Sequence, residues 1–143
     1  MHPNIWGKYA WNFLHQVTMA YPDYPTPEDK QRYYDFLSQL RYVLPCGKCR
    51  KNYADHLRTY PLTEYVLSSK NNLIKWGIDM HNIVNHYTGK RMIPYSEAME
   101  NLSKLSSVQQ TSGNSTDYIY LALIFVAFAI LCFIIWYVFF RKN

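Results

Sequence analysis

From Tyr118 to Phe140 the chain reads YIYLALIFVAFAILCFIIWYVFF, 23 residues without a charge. At a helical rise of about 1.5 Å per residue this stretch exceeds the roughly 30 Å of hydrocarbon in a bilayer. A run so continuously apolar is expected to form a transmembrane helix over 118–140. It divides the rest of the chain. Residues 106–117, SSVQQTSGNSTD, show no periodicity and read as a flexible linker. That leaves 1–105 as the domain that must fold on its own and 141–143 as a short basic tail.

A folded part of that size buries only about 60–65% of its unfolded surface, so a cofactor, a partner or a cross-link is expected to complete it. The 49% hydrophobic content does not itself supply a large core, because nine of the 25 aromatics belong to the span. Eleven tyrosines, three tryptophans and two phenylalanines stay with the domain. The net charge of +5 is mild, and lysine and arginine are scattered, with no basic run of the kind nucleic-acid arms carry. Nucleic-acid binding is therefore not expected. The one concentration is Arg41, Lys48, Arg50 and Lys51, with no acid between Arg41 and Lys51.

The first residues, MHPNIWGKYAWNF, lack the basic start and apolar run of a signal peptide. With the membrane signal at the far end, the expectation is a tail-anchored protein with residues 1–117 in the cytosol. The flanking charges point weakly the other way, since Arg141 and Lys142 follow the span and only Lys104 lies near its other side.

Helical periodicity recurs along the domain. Trp6, Ala10, Phe13, Leu14, Val17 and Ala20 form one stripe over 5–20. Thr26-Pro27-Glu28-Asp29 then offers a cap, a proline at the first helical position and acids in the first turn. The helix it opens carries Tyr33, Phe36, Leu37, Leu40 and Val43 and stops at Pro45. A third helix begins at the cysteine pair, with Cys49, Tyr53, Leu57 and Tyr60 in step, and closes at Pro61. A fourth, capped by Asn71 or Asn72, carries Leu73, Trp76, Met80, Val84 and Tyr87 and ends at Gly89. A short fifth starts from Ser96 as cap and turns Met99, Leu102 and Leu105 inward. No stretch alternates as a strand would, so the fold class is all-α: a compact four-helix bundle plus a short fifth helix, followed by the C-terminal transmembrane helix.

Chemistry centres on Cys46-Gly47-Lys48-Cys49. Two cysteines three apart at a helix start can close a small disulfide, and the helix dipole with the neighbouring cations favours a thiolate. A redox pair, half of a zinc site and a pair of inert thiols all remain open on this motif alone. Zinc needs two more ligands; His56, His81 and His86 are available, and 31 residues intervene between Cys49 and His81 where a finger has about 12–15, so no metal site is expected. Cys132, inside the span, reads as a small apolar residue. On the fourth helix His81, Asn82 and Asn85 share one face, either a solvated stripe or a ring of donors and acceptors around a bound heterocycle. His15 is open to the same two readings.

Three motifs in this order resemble the Erv/ALR family of flavin-linked sulfhydryl oxidases. They are W-G-x-x-x-W-x-F-L-H from Trp6 to His15, Pro45-Cys46-x-x-Cys49, and His81-Asn82-x-Val84-Asn85 followed by Gly89-Lys90. The resemblance covers roughly 5–100, and the compact form without accessory cysteines is most similar to the enzymes of large cytoplasmic DNA viruses. It implies a four-helix bundle that cradles FAD with the cysteine pair beside it. Carried over by motif, Trp11, His15, Cys49, His81, Asn82, Asn85 and Lys90 would line the flavin site, with Trp6, Gly7, Lys8 and Tyr87 around them. Cys46 would be the thiol that exchanges with substrate and Cys49 the one facing the flavin, with molecular oxygen as final acceptor and hydrogen peroxide as product. The shuttle cysteine pair and the clamping disulfide of many family members are missing here. Substrate proteins would then reach Cys46 directly, or a small thiol protein would act as shuttle, and homodimer formation would compensate for the lost clamp. A viral setting implies disulfide formation in virion proteins at a membrane. The rival readings are a membrane-anchored helical scaffold and a zinc-binding module, in both of which the cysteine pair is structural.

Overall fold

The computed structural model describes the backbone of residues 1–141 and the side chains of 1–104, 118–138, 140 and 141. Its elements are α1 (Pro3–Met19), α2 (Pro27–Val43), α3 (Gly47–Thr59), a 3₁₀ turn (Val66–Ser68), α4 (Lys70–Tyr87) and α5 (Tyr95–Arg141). Among the described residues there is no strand, as the all-α expectation requires. Two compact units result, Met1–Leu102 and Ser103–Asn143.

In the first unit α1 packs on α4 and α2 on α3. The helix starts follow local chemistry. Thr26 and Asp29 form a reciprocal capping box at α2, with Pro27 in the first turn. At α4 the cap is Ser69, whose hydroxyl accepts from the Asn72 N–H at 3.3 Å; neither Asn71 nor Asn72 does this work. The Asn72 side chain instead donates to the Tyr65 carbonyl at 2.9 Å and to Ser68 Oγ at 3.0 Å, tying the 3₁₀ turn to the helix. Likewise α5 begins at Tyr95, so Ser96 lies inside the helix and is not its cap.

The core gathers Tyr21, Leu37, Tyr53, Leu62, Leu67, Leu73, Trp76 and Met80. Its polar tips are satisfied by main-chain carbonyls: Tyr21 Oη donates to Leu67, Tyr53 Oη to Leu37 and Trp76 Nε1 to Tyr60, at 2.8–3.0 Å. Gly77 lets α4 close on α1, since a Cβ there would stand 3.3 Å from Thr18 Cγ2. A smaller cluster of Ile74, Ile78 and Leu102 seats the start of α5.

The inward face of α1 differs from the expected stripe. His15 and Thr18 are buried, with Trp11 and Leu14 packed beside them, whereas Phe13 is 56% exposed and meets Phe36 edge to face at 6.2 Å on the outside. Val43 and Tyr87 are likewise outside, at 67% and 71% exposure. A helix face that buries a histidine and a threonine is not marked by apolar periodicity, because hydrogen bonds and not hydrophobicity make it tolerable inside.

In the second unit the backbone remains helical through 106–117, in place of the expected flexible linker. A strong helix former is not required at every position once a long helix has been nucleated. Tyr118–Val138 has mean hydropathy 2.9, and none of it is buried within the chain. Its 21 residues span roughly 31 Å, long and apolar enough to cross a membrane.

Candidate functional site

Pro45 ends the run of α2, and the chain re-enters a helix two residues later with Cys46 as the N-cap of α3. The two cysteines are joined as a disulfide, their Cα atoms 5.1 Å apart. Cys46 Sγ also accepts the Cys49 backbone N–H at 3.2 Å, the role a serine or aspartate oxygen plays at an ordinary cap. Both residues are half-buried, so the bond is within reach of solvent.

One turn after Cys49, Tyr53 enters the lining of a cavity of about 10 Å³ together with Trp11, Leu14, His15, Thr18, Leu37, Trp76, Gly77 and Met80. Burial pushes the Tyr53 phenol up, away from ionisation. The void is about the size of a single water and is not itself a ligand pocket. The aromatic and imidazole groups above it form the notable surface. Trp11 and His81 stack nearly parallel, 7° apart with centroids at 4.2 Å. His15 tilts against both rings, and its Nε2 shares a hydrogen bond of 2.9 Å with His81 Nδ1. One imidazole donates and the other accepts, so the accepting ring must be neutral. Burial lowers the His15 pKa. Burial, then the neighbouring His15 and Lys90, push His81 down to about 4.

The end of α4 is shaped around this cluster. Gly89 takes a φ of +69°, a left-handed turn that a side chain would disfavour. The reversal returns the Lys90 N–H to the Asn85 carbonyl at 2.8 Å and brings the lysine charge into range of His81. Asn85 is buried. Asn82 pairs both ends of its amide with Ile93, donating to the carbonyl and accepting from the N–H, each at 2.8 Å. It thereby fastens the segment that carries Lys90.

Of the residues singled out in the sequence, Trp11, His15 and His81 are in direct contact, Lys90 acts on His81 electrostatically, and Cys46 and Cys49 are bonded to each other. Trp6 buries an indole Nε1 that has no partner, and His15 Nδ1 is in the same condition. No described contact draws in Gly7 or Lys8; a Cβ on Gly7 would meet nothing within 4 Å, and Lys8 is exposed. Tyr87 lies over the buried His56 of α3, centroids 5.2 Å apart. Tyr53, which lines the cavity, and His56, which packs against Tyr87, are groups the motifs did not mark. Their signal was the register from Cys49, four residues on for Tyr53 and seven for His56, which places all three on one side of α3. Among the described residues, no three of His, Cys, Asp and Glu gather as metal ligands.

The neutral imidazole pair has a consequence for acid stability. In the unfolded chain His81 takes a proton near pH 6.5, whereas in the fold it does so only near 4. Stability is therefore complete above pH 6.5 and declines as pH falls from 6.5 toward 4, where the loss levels off. With solvent screening of the part-exposed ring, the loss is expected to reach about 2 kcal/mol. Thermal unfolding between pH 7 and 5, where carboxylates are still ionised, should show the midpoint falling. His81→Gln should flatten that slope.

Residues 8–104 match the Erv1 / Alr family. A protein of Acanthamoeba polyphaga mimivirus named a probable FAD-linked sulfhydryl oxidase is 56% identical over 119 residues, 83% of each chain. The FAD-linked sulfhydryl oxidase of an African swine fever virus isolate is 28% identical over 114 residues, 80% of this chain and 92% of its own. Among solved structures, the FAD binding domain of Erv1 from Saccharomyces cerevisiae superposes with a TM-score of 0.60 at 28% identity, covering 66% of this chain and 87% of that one.

Proposed function

The chain belongs to the Erv1 / Alr family, and from that membership we propose that it is an FAD-linked sulfhydryl oxidase working through the Cys46–Cys49 disulfide. The observation that carries the reading is a disulfide at a helix N-cap, one turn before Tyr53, which lines a cavity together with Trp11 and the buried His15. The residues fit a flavin. Trp11 and His81 offer flat faces for stacking, His15 and Trp6 hold buried ring nitrogens that lack a partner, and Lys90 supplies a cation for phosphate. Asn85 and Tyr87 border the same end of α4, and Asn82 acts by positioning Lys90. Gly7 and Lys8 remain assigned to the cofactor by motif.

The protein's own chemistry is thiol–disulfide exchange. A substrate thiolate attacks Cys46 Sγ; a bond forms between the two sulfurs, the Cys46–Cys49 bond breaks, and Cys49 leaves as a thiolate. A second substrate thiolate then attacks the substrate sulfur of that mixed disulfide. The product disulfide departs, and Cys46 leaves as a thiolate that the Cys49 N–H and the α3 dipole are placed to stabilise. Two electrons now reside on the dithiol. What FAD supplies when bound is a two-electron sink for that dithiol and a route onward to oxygen, with hydrogen peroxide as product. Cys46 is assigned the exchange role because it precedes the helix, and Cys49 the inner role because Tyr53, on its side of α3, lines the cavity beneath Trp11 and His15.

Substrates are thiol-bearing proteins, reached directly or through a small thiol shuttle, and a homodimer is part of the same reading. Tyr118–Val138 serves as a single-pass anchor with the folded unit on the cytosolic side, and the viral relatives support a place in a host or virion membrane. The folded domain corresponds to 1–105, with the segment to 117 joining it to the anchor. The test is the visible spectrum of the purified chain. A flavin band that bleaches on anaerobic addition of dithiothreitol is expected, and a colourless, well-folded protein would overturn the reading.

A further inference from the structure

The Met1 ammonium reaches the Pro45 carbonyl at 3.1 Å, beside Cys46, and the four side-chain cations around the cysteine pair are not equivalent. Arg41 turns its guanidinium over the Tyr42 ring, 4.8 Å from the centroid. Lys51 pairs with Asp55 at 3.0 Å, and Asp55 also receives Arg58. Lys48 and Arg50 are left, both exposed, and among the described residues no carboxylate pairs with either.

Arg50 is held in place. Its backbone N–H donates to the Cys46 carbonyl at 2.9 Å, and its Nη1 donates to the Leu44 carbonyl at 2.8 Å. Its Nη2 lies 3.7 Å from the position a Cβ on Gly47 would occupy. The guanidinium is thus folded back over the turn from Leu44 to Gly47, which carries Cys46, and most of its five donors are still unspent. Gly47 puts no side chain between that charge and an incoming sulfur. Arginine in a fixed pose presents a planar fork matched to a carboxylate, unlike a freely rotating lysine.

We propose that Arg50, assisted by Lys48, is a specificity-determining residue that selects thiol substrates whose reactive cysteine is flanked by carboxylates. This rests on the oxidase reading above and adds no new bond-making step: the same substrate sulfur attacks Cys46, with the neighbouring aspartate or glutamate paired to the guanidinium as it does so. A cysteine segment of opposite flanking charge is repelled at the point where its sulfur must arrive.

The test uses the flavin-loaded full chain in detergent and two reduced peptides, identical except that aspartates or lysines flank each cysteine. At low salt, kcat/KM for the acidic peptide should exceed that for the basic one by about tenfold, mostly through KM, and the ratio should shrink toward twofold at high salt. Arg50→Gln should cut the low-salt ratio by at least about threefold, Arg50→Lys should restore only part of it because it keeps the charge and loses the fixed fork, and Arg50→Glu should invert it. Equal kcat/KM for the two peptides at low salt, or a ratio unchanged when Arg50→Gln and Lys48→Gln are combined, would overturn the proposal. Absence of turnover with both peptides and with dithiothreitol would instead bring down the oxidase reading.

Discussion

Cys46→Ser and Cys49→Ser should each reduce thiol-dependent oxygen uptake by about a thousandfold or more, because either change removes the electron-accepting bond itself. The two variants should nevertheless look different to a thiol reagent. Cys49→Ser keeps the N-cap sulfur as a free thiol without its internal competitor, so when offered a substrate in its oxidised, disulfide form it should attack that bond, release one substrate thiolate and hold the other as a mixed disulfide on Cys46 that survives non-reducing electrophoresis. Cys46→Ser leaves only the sulfur on the Tyr53 side of α3, and such an adduct should form far more slowly. Neither change should unfold the protein. Closing so short a loop is worth about 2 kcal/mol by chain entropy, and a serine at 46 is itself a good cap. Both proteins should therefore stay yellow. If Cys46→Ser formed the adduct and Cys49→Ser did not, the roles assigned to the two cysteines would be exchanged.

The parts of this architecture that could be read from sequence are those set by local rules. The Thr26, Pro27 and Asp29 start of α2 needs only neighbours in the chain, and the structure has the cap and the proline as expected, with Asp29 closing the reciprocal box as well. The same holds for Gly89, whose positive φ closes α4. The cysteine pair fell at a helix start because Pro45 forbids continuation of the preceding one. The features that escaped depend on contacts outside a residue's own helix. His15 and Thr18 face inward because His81, 66 residues away, and the missing side chain of Gly77 make room and bonds for them. No window on α1 contains that information, and the apolar periodicity pointed to Phe13 instead. Ser69 displaced the asparagines as cap because Asn72 is drawn back to Tyr65 and Ser68. Asn82 lies in the family's third motif, and it holds Ile93 so that the charge of Lys90 acts on His81. In each case the polar residues at the site answered to tertiary partners, while the punctuation of the helices answered to the chain itself.

Two arginines placed at the middle of the apolar helix, Ala127→Arg with Ile130→Arg, should move the protein from the membrane pellet to the soluble fraction. The proposed anchor draws its free energy from side chains that are exposed within the chain and have no other apolar surroundings, Tyr118–Val138 being wholly unburied. Each mid-span arginine costs about 2.5–3.5 kcal/mol on the insertion scale, against a gain of about 0.3–0.6 kcal/mol for each Leu, Ile, Phe or Val. Two together cost about 5–7 kcal/mol, enough to outweigh most of the favourable sum and to shift partitioning by about a thousandfold or more. A pair of leucines at the same positions should leave the protein in the pellet, which separates charge from mere substitution. Flavin content and dithiothreitol oxidation should be the same in both variants, since neither position contributes to the Met1–Leu102 unit. If the arginine variant remained membrane-bound while staying active, the apolar helix would not be the attachment, and the exposed aromatics Tyr9, Phe13 and Tyr42 on α1 and α2 would become the surface to test next.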